Sequence, residues 1–196
     1  MEVIRTPNGL FLSQSKYILD LLDKVHLAGA KPLSTQAATT TPTRDDPFAD
    51  VPLYRQIVGT LQYLSFTKLD ISYSVNQVCQ FMHSPIISDR TAVKRIVKYL
   101  KHNVDFGLAI VSSTSLSLHA LSDATWAGCK SDRKSQTGYC IYLGGNLISW
   151  ASKKQSTISR SSTKAEYCSV ATTTSKVLWH KSLFLELGIP LTDVVL

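Results

Sequence analysis

The sequence predicts an α/β (α+β) protein in which a mostly helical first half precedes a mixed sheet with helices. Three observations carry that expectation. Large aliphatic residues recur at helical spacing between residues 51 and 101. After Asn103 the order reads strand, strand, strand, long helix, strand, and Gly144-Gly145-Asn146 between two apolar runs is a strong hairpin signal.

Taken in order, Val3–Thr6 and Leu10–Leu12 flank Pro7-Asn8-Gly9 and read as a hairpin, because Asn-Gly readily supplies the positive φ of a tight turn. A helix follows from Ser13, with Ile18, Leu21, Leu22 and Val25 inward and Gly29 as its stop. Residues 31–50, rich in Ser, Thr, Ala, Pro and Asp, have too little apolar surface for a core and read as a linker. Pro52 suits a first helical turn, ahead of a stripe of Leu53, Ile57, Leu61 and Leu64. Asp70 is positioned to cap a helix carrying Ile71, Val75, Val78 and Met82, which Pro85 ends. Ser88 or Asp89 can cap another, with Ala92, Ile96, Val97 and Leu100 inward and Lys94, Lys98 and Lys101 outward beside Arg95. Strands are expected at Leu108–Val111, Leu116–Asp123, Gly138–Leu143 and Leu147–Ala151. Thr163–Leu187 reads as a long helix with Tyr167, Val170, Ala171, Thr174 and Leu178 on its inner face, stopped by Gly188 and Pro190. Val194 opens a last strand. The units implied are 1–30, a linker over 31–50, 51–104 and 105–196.

Composition narrows the class. The chain has 196 residues, 44% hydrophobic and 18% charged, which excludes a disordered acidic tail. No apolar run approaches the ~18 residues of a membrane span, and Met1–Pro7 lacks a secretory pattern, so an intracellular (cytoplasmic or nuclear) protein without a membrane partner is expected. Cysteines 79, 129, 140 and 168 form no C-x-x-C pair and have no histidine partners at ligand spacing, which argues against zinc and for reduced, packed thiols. The net charge of +7 points toward phosphate-bearing partners.

Two carboxylates stand out. Asp123 ends a strand expected to be largely buried, and Glu166 lies in the first turn of the long helix, an arrangement that suits part of a site for a hard divalent cation. Each has a plainer reading: Asp123 as the start of a loop, Glu166 as the closing member of a Thr163-x-x-Glu166 capping box. Lys130, Arg133 and Lys134 follow Asp123, while Lys153, Lys154 and Arg160 precede Glu166, so the loops would give a positive rim around an acidic pair. The basic helix face of Lys94, Arg95, Lys98 and Lys101 is either simply solvated or a phosphate contact. Ser161-Ser-Thr-Lys164 matches the S-x-x-K pattern of serine acyl-enzymes but lacks any Lys-Thr-Gly companion.

The stretches Leu121-Ser-Asp-Ala-Thr-Trp-Ala-Gly128, Asp132-Arg-Lys-Ser-Gln-Thr-Gly-Tyr-Cys140, Leu143–Trp150, Ser152-Lys-Lys-Gln155 and Arg160-Ser-Ser-Thr-Lys-Ala-Glu-Tyr167 resemble the ribonuclease H region of copia-type retrotransposon polyproteins. Phe11–Tyr17, Tyr54–Leu61, Asp70–Val75, Gln80–Met82 and Arg95–Lys101 resemble the segment upstream of it, the end of the reverse transcriptase and its connection. The resemblance runs in one order over nearly the whole chain. It implies a ribonuclease H-like mixed sheet, truncated here, that cuts the RNA strand of an RNA–DNA hybrid with two Mg²⁺ ions (Mn²⁺ as substitute), one lowering the pKa of the attacking water and the other stabilising the leaving oxygen. By position, Asp123 and Glu166 resemble the family's first two metal carboxylates, and the basic residues named above would meet the hybrid's backbone.

The same resemblance sets the third carboxylate a few residues beyond Leu196, the fourth further still, and the reverse transcriptase's catalytic strand upstream of Met1. Asp193 is expected at the wrong end of its strand to substitute, and Thr125 stands where the family usually has Asp. The expectation is therefore a pol-derived chain with little or no nuclease activity of its own, its partners a nucleic acid and the remainder of a polyprotein. The alternatives are a nucleic-acid-binding remnant and a repurposed interaction protein. A host-directed effector is disfavoured, since the chain contains no Arg-x-Leu-Arg.

Overall fold

In a computed structural model of the chain, which describes residues 1–37, 46–129 and 132–195, the α+β class is what is found, in two compact units over Met1–Ala109 and Ile110–Leu196. The first opens on the expected hairpin, β1 (Glu2–Thr6) and β2 (Gly9–Ser13), paired from Glu2↔Ser13 to Thr6↔Gly9. That register puts Pro7 and Asn8 in the turn, and the positive φ falls on Gly9 rather than Asn8. Strand β3 (Leu108–Val111) adds beside β2. Gly107 permits that approach, since a Cβ there would run into the Leu12 carbonyl.

Four helices complete this unit: α1 (Ser15–Lys24), α2 (Val51–Leu64), α3 (Ser72–Cys79) and α4 (Ile87–His102). Their aliphatic stripes meet in one core containing Ile18, Leu22, Tyr54, Ile57, Leu61, Val75, Ile96 and Leu100. Helix α1 stops earlier than the sequence suggests. His26, not Gly29, takes the left-handed turn at φ 55°, and Leu27 N–H reaches back to the Leu22 carbonyl at 2.9 Å. Asp50 caps α2 through Leu53 N–H. Asp70 does not cap α3. It sits in a 3-10 turn over Leu69–Ile71, and its carboxylate accepts from the Tyr99 hydroxyl at 2.7 Å. Asp89 reaches back to Ile86 N–H at the start of α4, at 2.9 Å.

Lys68 is buried and donates to the Asn103 carbonyl at 2.6 Å, meeting an orphan acceptor at the end of α4. Burial lowers its pKa. Residues 28–35 are also tied to α4: Lys101 donates to the Ala28 and Ala30 carbonyls, and Leu33 N–H to the Lys98 carbonyl.

The second unit is a four-stranded mixed sheet in the order β6-β5-β4-β7, made of β4 (Leu118–Thr125), β5 (Gln136–Leu143), β6 (Asn146–Lys154) and β7 (Val194–Val195). Gly144 and Gly145 make the expected β5–β6 turn, with Gly144 at φ 57°. Strand β7 runs parallel to β4, at Leu118↔Val194 and His119↔Val195, so β4 beyond His119 has no strand on that side among the described residues.

Helix α5 (Ser162–Glu186) packs on one sheet face and ends at Gly188, as its sequence predicts. Its orientation is the main departure from the periodicity. The buried residues are Ala165, Ser169, Thr173, Val177 and His180, whereas Tyr167, Val170, Ala171 and Leu178 are exposed and Thr174 is half-buried. Small hydroxyl-bearing residues win the inner face because hydrogen bonds to β4 hold the helix there: Ser122 meets Ser169 at 2.8 Å and Thr173 at 3.0 Å.

Candidate functional site

Asp123 lies within β4, two residues short of its end, and its side chain is exposed rather than buried. Alternation along the strand explains this. Leu118, Ala120 and Ser122 face α5, so His119, Leu121, Asp123 and Thr125 take the opposite, open face. The Asp123 main chain is nevertheless fixed to the helix, since the Ser169 hydroxyl donates to its carbonyl at 2.6 Å. Glu166 is one turn before Ser169 on α5, also exposed. It is the fifth helical residue, beyond the first turn. The capping-box reading of Glu166 fails on geometry: Ser161 is the N-cap, accepting from Lys164 N–H at 3.2 Å.

The loops beside the two acids are tied together by residues that motif spacing did not single out. Trp126 donates its indole N–H to the Ser159 carbonyl at 2.9 Å, joining the segment after Asp123 to the one before α5. Gln155 donates to the Ala165 carbonyl at 2.9 Å and to Thr137 Oγ1 at 3.1 Å, and accepts from the Ser159 hydroxyl at 3.0 Å. The Ser135 hydroxyl accepts from Ala127 N–H at 3.1 Å. The sequence signal for this network was the run of Ser, Thr and Gln where a core would carry aliphatics.

The basic residues separate into exposed and committed groups. Arg133, Lys153 and Arg160 are exposed, while Lys134 is half-buried. Lys154 is paired with Asp132 at 2.8 Å and donates to Cys129 Sγ at 3.2 Å. The hydrogen bond from Lys154 to Asp132, followed by one from Cys129, holds the Asp132 carboxyl down to about 2. Lys130 lies outside the described residues. In the first unit, Lys94 is exposed and Lys98 half-buried, whereas Arg95 donates to Thr35 Oγ1 at 2.5 Å and Lys101 holds the two carbonyls described above.

Carboxylate oxygens are the ligand type that suits Mg²⁺, and Asp123 on β4 and Glu166 on α5 are both exposed. Among the described residues, no three His, Cys, Asp or Glu side chains are grouped to hold an ion. Asp193 is far off: Leu118 N–H bonds its carbonyl, which sets it level with Ser117, six residues or about 20 Å along β4 from Asp123. No helix among the described residues is long and apolar enough to cross a membrane.

No protein-family model matches the chain, and no solved structure matches it. Curated proteins do. The chain is 49% identical over 195 residues to the retrovirus-related Pol polyprotein from transposon RE1 of Arabidopsis thaliana, a match that takes in 98% of this chain and 13% of that polyprotein. It is 44% identical over 188 residues to an uncharacterised mitochondrial protein of the same plant, covering 93% of this chain and 77% of that protein. A secreted RxLR effector protein of Plasmopara viticola is 35% identical over 127 residues, 64% of this chain and 89% of that protein. With identity this high over nearly its whole length, and with the ordered motifs above, the chain belongs to the copia-type family of retrovirus-related transposon Pol polyproteins.

Proposed function

We propose that this chain is the connection and ribonuclease H-related stretch of a copia-type Pol polyprotein. In this reading Asp123 and Glu166 supply two carboxylates of a Mg²⁺ (or Mn²⁺) site directed at the phosphodiester of an RNA–DNA hybrid. The exposed Arg133, Lys153 and Arg160 contact the backbone, and the exposed Lys94 is a separate phosphate contact within the first unit. The observation that carries the reading is the Ser169 bond to the Asp123 carbonyl, which ties the main chain at Asp123 to the helix turn that follows Glu166. The capping and loop-start explanations for these acids find no support in the local geometry.

Two carboxylates alone cannot clamp two metal ions, and no third acidic, His or Cys ligand joins them among the described residues. The 196-residue chain by itself is therefore a nucleic-acid binder with little or no cleavage. Purified chain titrated with a labelled RNA–DNA hybrid in Mg²⁺ or Mn²⁺ tests this. Expected are binding that weakens steeply as salt rises, by a log–log slope of about −0.7 to −0.9 per phosphate contacted, and no robust product. Strong cleavage abolished by Asp123→Asn would overturn the inactive reading. No binding at low salt would overturn the nucleic-acid reading.

A further inference from the structure

Residues 27–36 contain no acid, and neither do residues 91–102 of α4. Contacts between the two step back along the helix as the segment advances. Lys101 donates to the Ala28 and Ala30 carbonyls, Leu33 N–H to the Lys98 carbonyl at 3.2 Å, and Arg95 Nη2 to Thr35 Oγ1 at 2.5 Å. Arg95, Lys98 and Lys101 follow one another at three-residue spacing on one side of α4. The Arg95 and Lys101 side chains meet only neutral oxygens there. These polar ties are also the segment's main hold on the helix. Within 28–36 no residue is buried, and only Ala30, Leu33 and Gln36 are half-buried. Gln36 Nε2 adds a bond to the Asp70 carbonyl at 3.2 Å. A segment with so few buried apolar contacts opens at low cost.

Arg95 is the least satisfied of these cations. Its Nε is buried and has no acceptor among the described residues. Nε and Nη2 together form the side-on edge of a guanidinium, which takes two oxygens of one phosphate in parallel bonds. A single hydroxyl oxygen fills half of that edge. Arg90, the other arginine of α4 with an unfilled buried nitrogen, differs: it stands over the Phe48 ring at 5.8 Å and feels the Asp50 charge. We infer that residues 28–36 are a displaceable strap over a phosphate seat on α4. A backbone phosphate of the nucleic acid takes the Nε–Nη2 edge of Arg95 in place of Thr35 Oγ1, with the Lys98 charge about one turn on. This rests on the nucleic-acid reading above and adds a contact that the closed strap covers. Charge selects the occupant. Lys31, Lys94, Arg95, Lys98 and Lys101 gather in two segments without an acid, which favours a polyanion over a neutral ligand. The exchange trades one bond to a neutral hydroxyl for two charge-assisted bonds.

The test compares the full chain with Thr35→Val and Arg95→Lys. Binding of a short fluorescein-labelled RNA–DNA hybrid at low salt is followed by anisotropy, and exchange of the Leu33 amide hydrogen is measured in the free and bound parent. Thr35→Val removes the competing hydroxyl from an exposed position and should bind about threefold to tenfold more tightly. Arg95→Lys keeps the charge but loses the two-point edge, and should bind about threefold more weakly or worse. In the parent, bound hybrid should speed exchange at Leu33, since lifting the strap breaks its bond to the Lys98 carbonyl. A Thr35→Val chain that binds no more tightly than the parent overturns the strap's competing role and leaves the nucleic-acid reading standing, and this variant decides the matter if Arg95→Lys does not fold. Slower exchange at Leu33 in the complex overturns the lifting of the strap. A parent that ignores the hybrid but exchanges faster at Leu33 in inorganic phosphate supports the seat and overturns the nucleic acid as its source. A parent that responds to neither overturns both.

Discussion

Replacing Ser169 by Ala removes the middle of a directed hydroxyl chain. Ser169 is 1% exposed, and its single proton goes to the Asp123 carbonyl at 2.6 Å. Ser122 must then donate to Ser169 Oγ at 2.8 Å, and Thr173 is left to donate to Ser122 at 3.0 Å or to the Ser169 carbonyl at 2.9 Å. The alanine loses two bonds, stranding a carbonyl and a hydroxyl donor, at about 1–3 kcal/mol for each group left unsatisfied. Because these groups are only partly buried, the lower end applies, and alanine's better helix propensity returns up to about 0.5 kcal/mol. The net expectation is a loss of about 2 kcal/mol. The sequence supplies a selective reporter: all three tryptophans, Trp126, Trp150 and Trp179, lie in the second unit. A urea titration followed by their fluorescence should show the midpoint lowered by about 1 M, taking a slope of about 2 kcal/mol/M. Ser175→Ala on the same helix is the control, since exposed Ser175 bonds only the Ala171 carbonyl one turn back and should be neutral or slightly stabilising. If both variants unfold at the parental midpoint, the hydroxyl chain does not hold α5 to β4.

Gly59 is exposed inside α2 with nothing within 4 Å of an added Cβ, so Gly59→Ala should raise first-unit stability by about 0.5–1 kcal/mol in far-UV circular dichroism melts, and an unchanged melt refutes this. Burial, then the hydrogen bond to Asp70, pushes Tyr99 up to about 12. Its folded pKa lies above the ordinary 10.0, so the stabilisation is complete below pH 10 and is lost as pH rises from 10 to 12. An ultraviolet titration difference between the parent and Tyr99→Phe should show that phenolate near 12, and a step at 10 would contradict it. Asp132 has the opposite sign: its stabilisation is present above pH 3.8 and fades as pH falls toward 2. Lys154→Met should return its carboxyl toward 3.8 in a ¹³C NMR titration, and an unmoved titration would refute the pairing.

Helices α2 to α4 were legible in the sequence because large aliphatics at 3.6-residue spacing leave one way to bury them, and Ile57, Leu61, Val75, Ile96 and Leu100 are all in the core. The same rule misplaced α5. Tyr167, Val170 and Leu178 form the more apolar stripe, yet the helix turns Ser169 and Thr173 inward, since their partner Ser122 sits on the facing strand and pairwise bonds of that kind leave no trace in periodicity. Asp70 was misread as a cap, and the cap alternative for Glu166 fails, for a related reason. A cap is judged from a few neighbouring residues, but Asp70 is claimed by Tyr99, 29 residues away, and Ser161 lies closer to the true start of α5. Arg95 and Lys101 show the limit for charge patterning, because donors on a basic stripe can serve carbonyls and hydroxyls brought in from residues 28–35.

The two units hold themselves together differently, and the difference bears on the acid in β4. In the first, sixteen buried apolar side chains share one core, whereas the corresponding cluster in the second has five: Leu118, Ala120, Tyr139, Ile141 and Val177. Around those five the second unit also buries Ser135, Gln136, Thr137, Ser159, Ser169, Thr173 and His180. Apolar burial contributes about 25 cal/mol per Å² whatever the direction of contact, so it stabilises without fixing atoms closely. A hydrogen bond contributes a net of only about 1 kcal/mol but weakens steeply off its axis. A core weighted toward such bonds draws less of its stability from apolar burial and is more exact in where it sets its main chain. The bonds cluster where position matters for the proposed chemistry: Ser169 on the Asp123 carbonyl, Gln155 on the Ala165 carbonyl beside Glu166, and Trp126 across the loops between them. Replacing Ser122, Ser169 and Thr173 together by apolar residues of similar size would remove donors and acceptors at once and so cost less stability than Ser169→Ala alone, while loosening the main chain at Asp123. That trade separates a positioning role for the network from a merely structural one.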